Sequence, residues 1–132
     1  MPSIVKQYDG LTDDEKSYLK RNIHHVFIIK KARDTAYRET AKIFGYNGRN
    51  DQSDAFRHCF WSALLAKELG EKNAKKFTSA HESSPTNAIN EKLMDLHNND
   101  IGLNIGKSGG SNTFLSARCL SALTSQELKV IR

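Results

Sequence analysis

The stretch from His25 to Ile43 constrains the fold most, because His25, Ile29, Ala32, Ala36, Thr40 and Ile43 recur at steps of three and four. That spacing puts them on one face of a helix, and the resulting apolar stripe must be covered by other elements. Asn22 offers a cap at its start, and Gly45 in "FGYNGRN" ends it. The other segments carry the same punctuation. Thr12 and Glu15 in "LTDDEK" form a capping box ahead of a short first helix reaching about Arg21. Ser53 caps a third helix with Phe56, Phe60, Ala63 and Leu64 on one side, stopped at Gly70. "EKNAKKFTSAHE" makes a fourth helix, broken near Pro85, and Thr86 caps a fifth with Ile89, Leu93 and Leu96 at helical spacing, running towards Gly102 and Gly106. "GKSGGSN" is a loop, Ser111 or Asn112 opens a sixth helix through Leu120, and Thr124 with Glu127 is a further capping box.

No stretch alternates apolar and polar residues long enough to argue for a strand. The expected fold is all-α, a compact single domain over residues 1–132 with about six or seven helices around a His/Asp/Glu cleft. A chain of 132 residues that is 38% hydrophobic has material for one core and too little for two. It has no run of about 18 apolar residues, and "MPSIVKQYDGLTDDEK" lacks the charged start and apolar core of a secretory signal. A soluble chain without a transmembrane segment is expected, although export by a dedicated machine leaves no such mark. Cys59 and Cys119 are too few for a disulfide framework and neither sits in a Cys-x-x-Cys pair, so a reducing compartment is the default. The net charge of +5 favours polyanionic company: nucleic acid, an anionic lipid surface or an acidic protein.

Chemistry concentrates in three places. Asp54 and His58, in "DAFRHCFW", are four apart and share a helix face, a spacing at which both can ligate one metal or the carboxylate can orient the imidazole as a base. Arg57 beside them suits an anionic group such as phosphate. His81 and Glu82 close the fourth helix, where side chains line clefts. "MDLHNND" places Asp95, His97, Asn98, Asn99 and Asp100 inside what should be a continuous helix, although Asn and Asp are poor interior helix formers. Such a local conflict marks a functional site, or else the helix frays near Asn99. Asp95 and Asn99 share a face with Gly102 and Gly106, which admits close approach of another helix or a ligand. His24 and His25 could join the cleft, but a histidine on an apolar stripe is more often structural. Cys59 has no base three or four residues away, which argues for a small buried residue over a nucleophile. Lys31, Arg38 and Lys42, with "EKNAKK", form basic flanks that steer a polyanion or solvate their helices.

Taken in order, "DAFRHCFW", "AHE" and "MDLHNNDIG" resemble an uncharacterised bacterial domain family with the pattern Asp-x-Phe-Arg-His-x-x-Trp, Ala-His-Glu, Met-Asp-x-His-Asn-Asn-x-x-Gly, over about residues 22–131. Asp54, Arg57, His58, Trp61, His81, Glu82, Asp95, His97, Asn98, Asn99 and Gly102 match it. Such domains resemble the C-terminal modules of wall-associated and rearrangement-hotspot polymorphic toxins. The resemblance implies a bacterial effector, delivered by a secretion system into a target cell and neutralised by an immunity protein.

The expected function is a toxin hydrolase acting on the phosphodiesters of nucleic acid, with phospholipid or peptidoglycan hydrolysis, and a non-enzymatic helical binding module, as the alternatives. In that scheme His58, Asp54, His81 and Asp95 are the catalytic residues. Arg57, Glu82, His97, Asn98 and Asn99 bind substrate. Asp54, His58, His81 and Asp95 could hold a divalent metal such as zinc or magnesium.

Overall fold

The computed structural model describes residues 10–83 and 88–132, and among these every regular element is helical. Helix α1 spans Asp13–Arg21. A 3₁₀ turn at Ile23–His25 leads into α2, Val26–Phe44. Then follow α3, Gln52–Leu69, α4, Glu71–His81, α5, Ile89–Gly106, and α6, Asn112–Thr124. None of these helices is long and apolar enough to cross a membrane. Thr86 and the break at Pro85 lie outside the described residues.

Helix α3 is the centre of the fold, because it is buried on nearly every side: Ser53–Phe56 and Cys59–Ala66 are covered without interruption. Helices α2, α4, α5 and α6 all pack on it, and α5 most extensively. Two glycines explain that preference. A Cβ on Gly102 would fall 2.1 Å from the Cys59 carbonyl oxygen, and one on Gly106 would fall 2.1 Å from that of Ala63. Only hydrogen at both positions lets the two backbones cross so closely.

The close crossing also corrects the expected inner face of α5. Ile89 and Leu93 are exposed, whereas Met94, Asn98, Asn99, Gly102, Leu103 and Gly106 are buried. Small and hydrogen-bonding residues, not the aliphatic stripe, form the seam. The helix does not fray at Asn99; it continues to Gly106.

The caps are partly as expected. Thr12 and Glu15 form the capping box of α1, and Ser111 caps α6 by accepting from the Phe114 N–H. Asn22 does not cap α2; its side-chain amide donates back to the Tyr18 carbonyl and closes α1. At α3 the cap is Asp51, whose side chain accepts from the Asp54 N–H, while Ser53 is fully buried and bonds Asp51. Thr124 and Glu127 start no helix. Gln126 takes a positive φ of 64°, and the chain turns back along α5 as an irregular tail. Asn98 holds that tail through both groups of Lys129, donating to its carbonyl at 2.9 Å and accepting from its N–H at 2.8 Å. The Ile131 and Arg132 N–H groups then donate to the Asn50 carbonyl.

Candidate metal centre and catalytic cleft

The seam between α3 and α5 places His58 opposite Asp95 and Asn99, with the end of α4 above them. One face of α3 supplies Asp54 and His58, a turn apart, as their spacing requires. His58 Nε2 lies 3.4 Å from Asp54 Oδ1 and 3.4 Å from Asp95 Oδ1. Its other nitrogen, Nδ1, is 3.0 Å from Asn99 Oδ1. Asn99 is oriented by two further bonds: its amide donates to Glu82 Oε2 at 3.1 Å, and its oxygen accepts from Ser62 Oγ at 3.1 Å. Since an amide oxygen only accepts, the His58 proton sits on Nδ1, and the Nε2 lone pair faces the two carboxylates.

Three donors therefore converge. Asp54, His58 and Asp95 each offer one ligand atom, all within 4.8 Å of one another. Asp95 Oδ1 is buried and has no hydrogen-bond donor among the described residues. Burial, with the charges of Glu82 and Asp54, pushes the Asp95 carboxyl up to about 8. Burial also depresses His58, by more than Glu82 and Asp54 raise it. A buried cluster of two carboxylates and a bare imidazole nitrogen is short of positive charge, so it takes up a proton or a cation. Mixed oxygen and nitrogen donors suit zinc, and carboxylates with retained water suit magnesium. The donor set fits either ion.

Asp54 is aimed by its neighbours. Its Oδ2 accepts from the Asn50 N–H at 2.7 Å, and its Oδ1 lies 2.5 Å from Arg57 Nη2. Arg57 also donates to the Gly48 carbonyl and to Asn47, and its guanidinium stacks 4.8 Å from the Tyr37 ring centroid. These partners occupy Arg57, which is expected from sequence to bind substrate, so that its main contact is with a ligand carboxylate.

His81 lines the same cleft but does not join the three-ligand cluster. Its Nδ1 is 2.8 Å from Oε2 of the buried Glu15, while its side chain stays 42% exposed. Burial lowers the His81 imidazole, yet the hydrogen bond and charge of Glu15, with Glu82 and Asp95, raise it overall. Glu15 thus does two jobs with two oxygens, Oε1 accepting from the Thr12 N–H at 2.8 Å. Its place in a capping box hides the second.

The structure does not bring every expected residue to the cleft. His97 is exposed and donates from Nε2 to the Glu127 carbonyl at 2.8 Å, and Asn98 clamps the tail. Of the residues expected to bind substrate, His97 therefore lies on the flank of α5 away from Asp95, and Asn98, buried in the seam, is taken up by the backbone of Lys129. His24 and His25 meet edge to face, and His25 is bonded to Tyr18 Oη at 2.8 Å. Sequence reasoning missed Glu15, Asn50, Ser62 and Tyr37, which act by orienting others. It also missed Arg49 and Asn50 meeting Glu91 at the rim.

A family model described as a domain of unknown function, DUF6973, matches residues 16–129. The chain belongs to this family. The DUF6973 match takes in α2 to α6 whole, hence every ligand of the candidate centre, and begins just after Glu15. No curated protein and no solved structure matches the chain.

Proposed function

We propose that this DUF6973 domain is a divalent-metal-dependent phosphodiester hydrolase acting on nucleic acid. The observation that carries it is the convergence of Asp54, His58 and Asp95 within 4.8 Å around an Asp95 oxygen that has no donor. A bound zinc or magnesium ion supplies Lewis acidity toward a phosphoryl oxygen. Asn99 fixes the His58 tautomer and Arg57 fixes Asp54, so both ligands are pre-aimed. His81, with Nδ1 held by Glu15, keeps Nε2 for accepting a proton from attacking water. The bond and charge of Glu15 raise the proton affinity of His81 despite its burial, which strengthens it as a base. The overall charge of +5 supports a polyanionic substrate.

The motif resemblance supports a role as an antibacterial effector domain paired with an immunity protein. Hydrolysis of a fluorescent single-stranded oligonucleotide tests the reaction. Activity should vanish with chelator, return with zinc or magnesium, and disappear in His58→Ala. His81→Asn should lose turnover while retaining metal stoichiometry. Expression in the bacterial cytoplasm and, separately, with a periplasmic export signal tests the biology. Killing only after export would move the substrate to cell wall or outer-face lipid, and no killing in either compartment with no cleavage in vitro would favour a non-enzymatic binding module.

A further inference from the structure

A second cavity, of about 120 Å³, adjoins the cleft. Tyr37, Arg57, His58 and His81 line both, so the two spaces share a wall. The remaining lining is mostly apolar and partly aromatic, with Ile29, Ala36, Trp61 and Phe77. An apolar cavity of roughly 150 Å³ accepts benzene, so a space of this order takes one planar ring. Two features set it apart from a packing fault. The Trp61 indole N–H is buried and has no acceptor among the described residues, and such an unpaired donor is costly. Arg33 lines the cavity with its guanidinium 4.6 Å from the Tyr37 centroid, on a ring that Arg57 also stacks on, and makes no ion pair among the described residues.

We infer that this cavity is a base pocket, which seats one unstacked nucleobase of a single-stranded nucleic acid beside the candidate metal centre. This rests on the phosphodiesterase reading and names its substrate class. A nucleobase offers a flat apolar face to Trp61 and Phe77 and ring acceptors for the orphan indole donor. The phosphate of the same nucleotide carries the charge that Arg33 matches. An acyl chain would fill the same space but leave the indole N–H unpaired, and a base inside a duplex is not presented.

Trp61 is the single tryptophan and lines the cavity, so its fluorescence reports on this site. The full chain is titrated, with chelator present, against a short single-stranded oligonucleotide, a fully abasic oligomer of equal length, and phosphatidylglycerol vesicles. Saturable quenching by the oligonucleotide, at least about tenfold tighter than by the abasic oligomer, is expected from the worth of one stacked base. Ala36→Leu should fill the cavity and erase that preference, and Arg33→Gln, which leaves the core untouched, should weaken oligonucleotide binding. Equal affinity for the abasic oligomer overturns the proposal, as does a response to vesicles without one to the oligonucleotide. Binding is read here without turnover, so a failure of metal-dependent cleavage would sink the proposed reaction and leave the base pocket standing.

Discussion

Asn99 decides which nitrogen of His58 is free: its Oδ1 accepts from Nδ1–H at 3.0 Å, so Nε2 is left bare between Asp54 and Asp95. The adjacent Asn98 bonds the backbone of Lys129 instead and holds the tail. Two neighbouring amides thus have separable jobs. Asn99→Ala is expected to lower divalent-metal affinity about 10–100-fold, the usual penalty for losing such an outer partner. Asn98→Ala is expected to leave affinity unchanged and lower stability by about 1–3 kcal/mol, since it removes both hydrogen bonds that the buried Asn98 makes to the backbone of Lys129. Calorimetric metal titration and urea unfolding of both variants check this, and equal metal affinities in the two would contradict the assigned tautomer.

The Glu15–His81 pair should stabilise the fold over a defined pH window. His81 has its folded-state proton affinity raised, so its contribution is complete below its ordinary value of 6.5 and is lost as pH rises through the higher folded value. Glu15 is net lowered: burial raises it, but the His81 bond and charge and the Thr12 donors outweigh that. Its contribution is complete above the ordinary 4.5 and is lost as pH falls through the lower folded value. The urea midpoint of wild type should therefore exceed that of Glu15→Gln most between pH 4.5 and 6.5. A difference that grows above neutral pH would show the pair to be uncharged.

Gly102→Ala sets two effects against each other. Alanine improves helix propensity by about 1 kcal/mol. Its Cβ, however, would meet the Cys59 carbonyl at 2.1 Å, a backbone atom that cannot swing aside, and overpacking of this kind costs about 1–3 kcal/mol. The steric term wins, so a lower melting temperature is expected, and a rise would disprove the close crossing of α3 and α5.

Cys59 and Cys119 are both fully buried with their sulfurs 2.9 Å apart. The contact with Cys119 and burial push the Cys59 thiol well above its ordinary range. Neither thiol should react with an alkylating reagent in the native state, and both should react once urea unfolds the chain. Rapid modification of the folded protein would reopen a thiol mechanism.

Much of the fold is legible in the sequence because it is written in local chemistry. The α1 capping box, the α2 stripe and the glycine after α2 all act within a few residues. Ile89 and Leu93 mislead, because aliphatic periodicity marks a helix but not which side meets a neighbour when that neighbour needs glycine. The candidate cluster is legible at Asp54 and His58 from their spacing of four, and at Asp95 from its place in a run of poor interior helix formers. His97 lay in the same motif yet faces the tail, since a period of 3.6 turns adjacent residues by about 100°. Glu15, Ser62 and Tyr37 reach their partners across the fold, which no local spacing encodes.

Calorimetric titration of zinc and of magnesium into wild type and Asp95→Asn, at pH 6 and pH 8.5, tests the central claim most directly. One ion per wild-type chain is expected, bound more tightly at the higher pH because it displaces the proton that Asp95 holds up to about 8. In Asp95→Asn, which relieves crowded negative charge, the metal-free fold should melt no lower than wild type while ion binding is lost. Absence of binding in wild type, or binding undiminished in the variant, would contradict a metal centre at Asp54, His58 and Asp95.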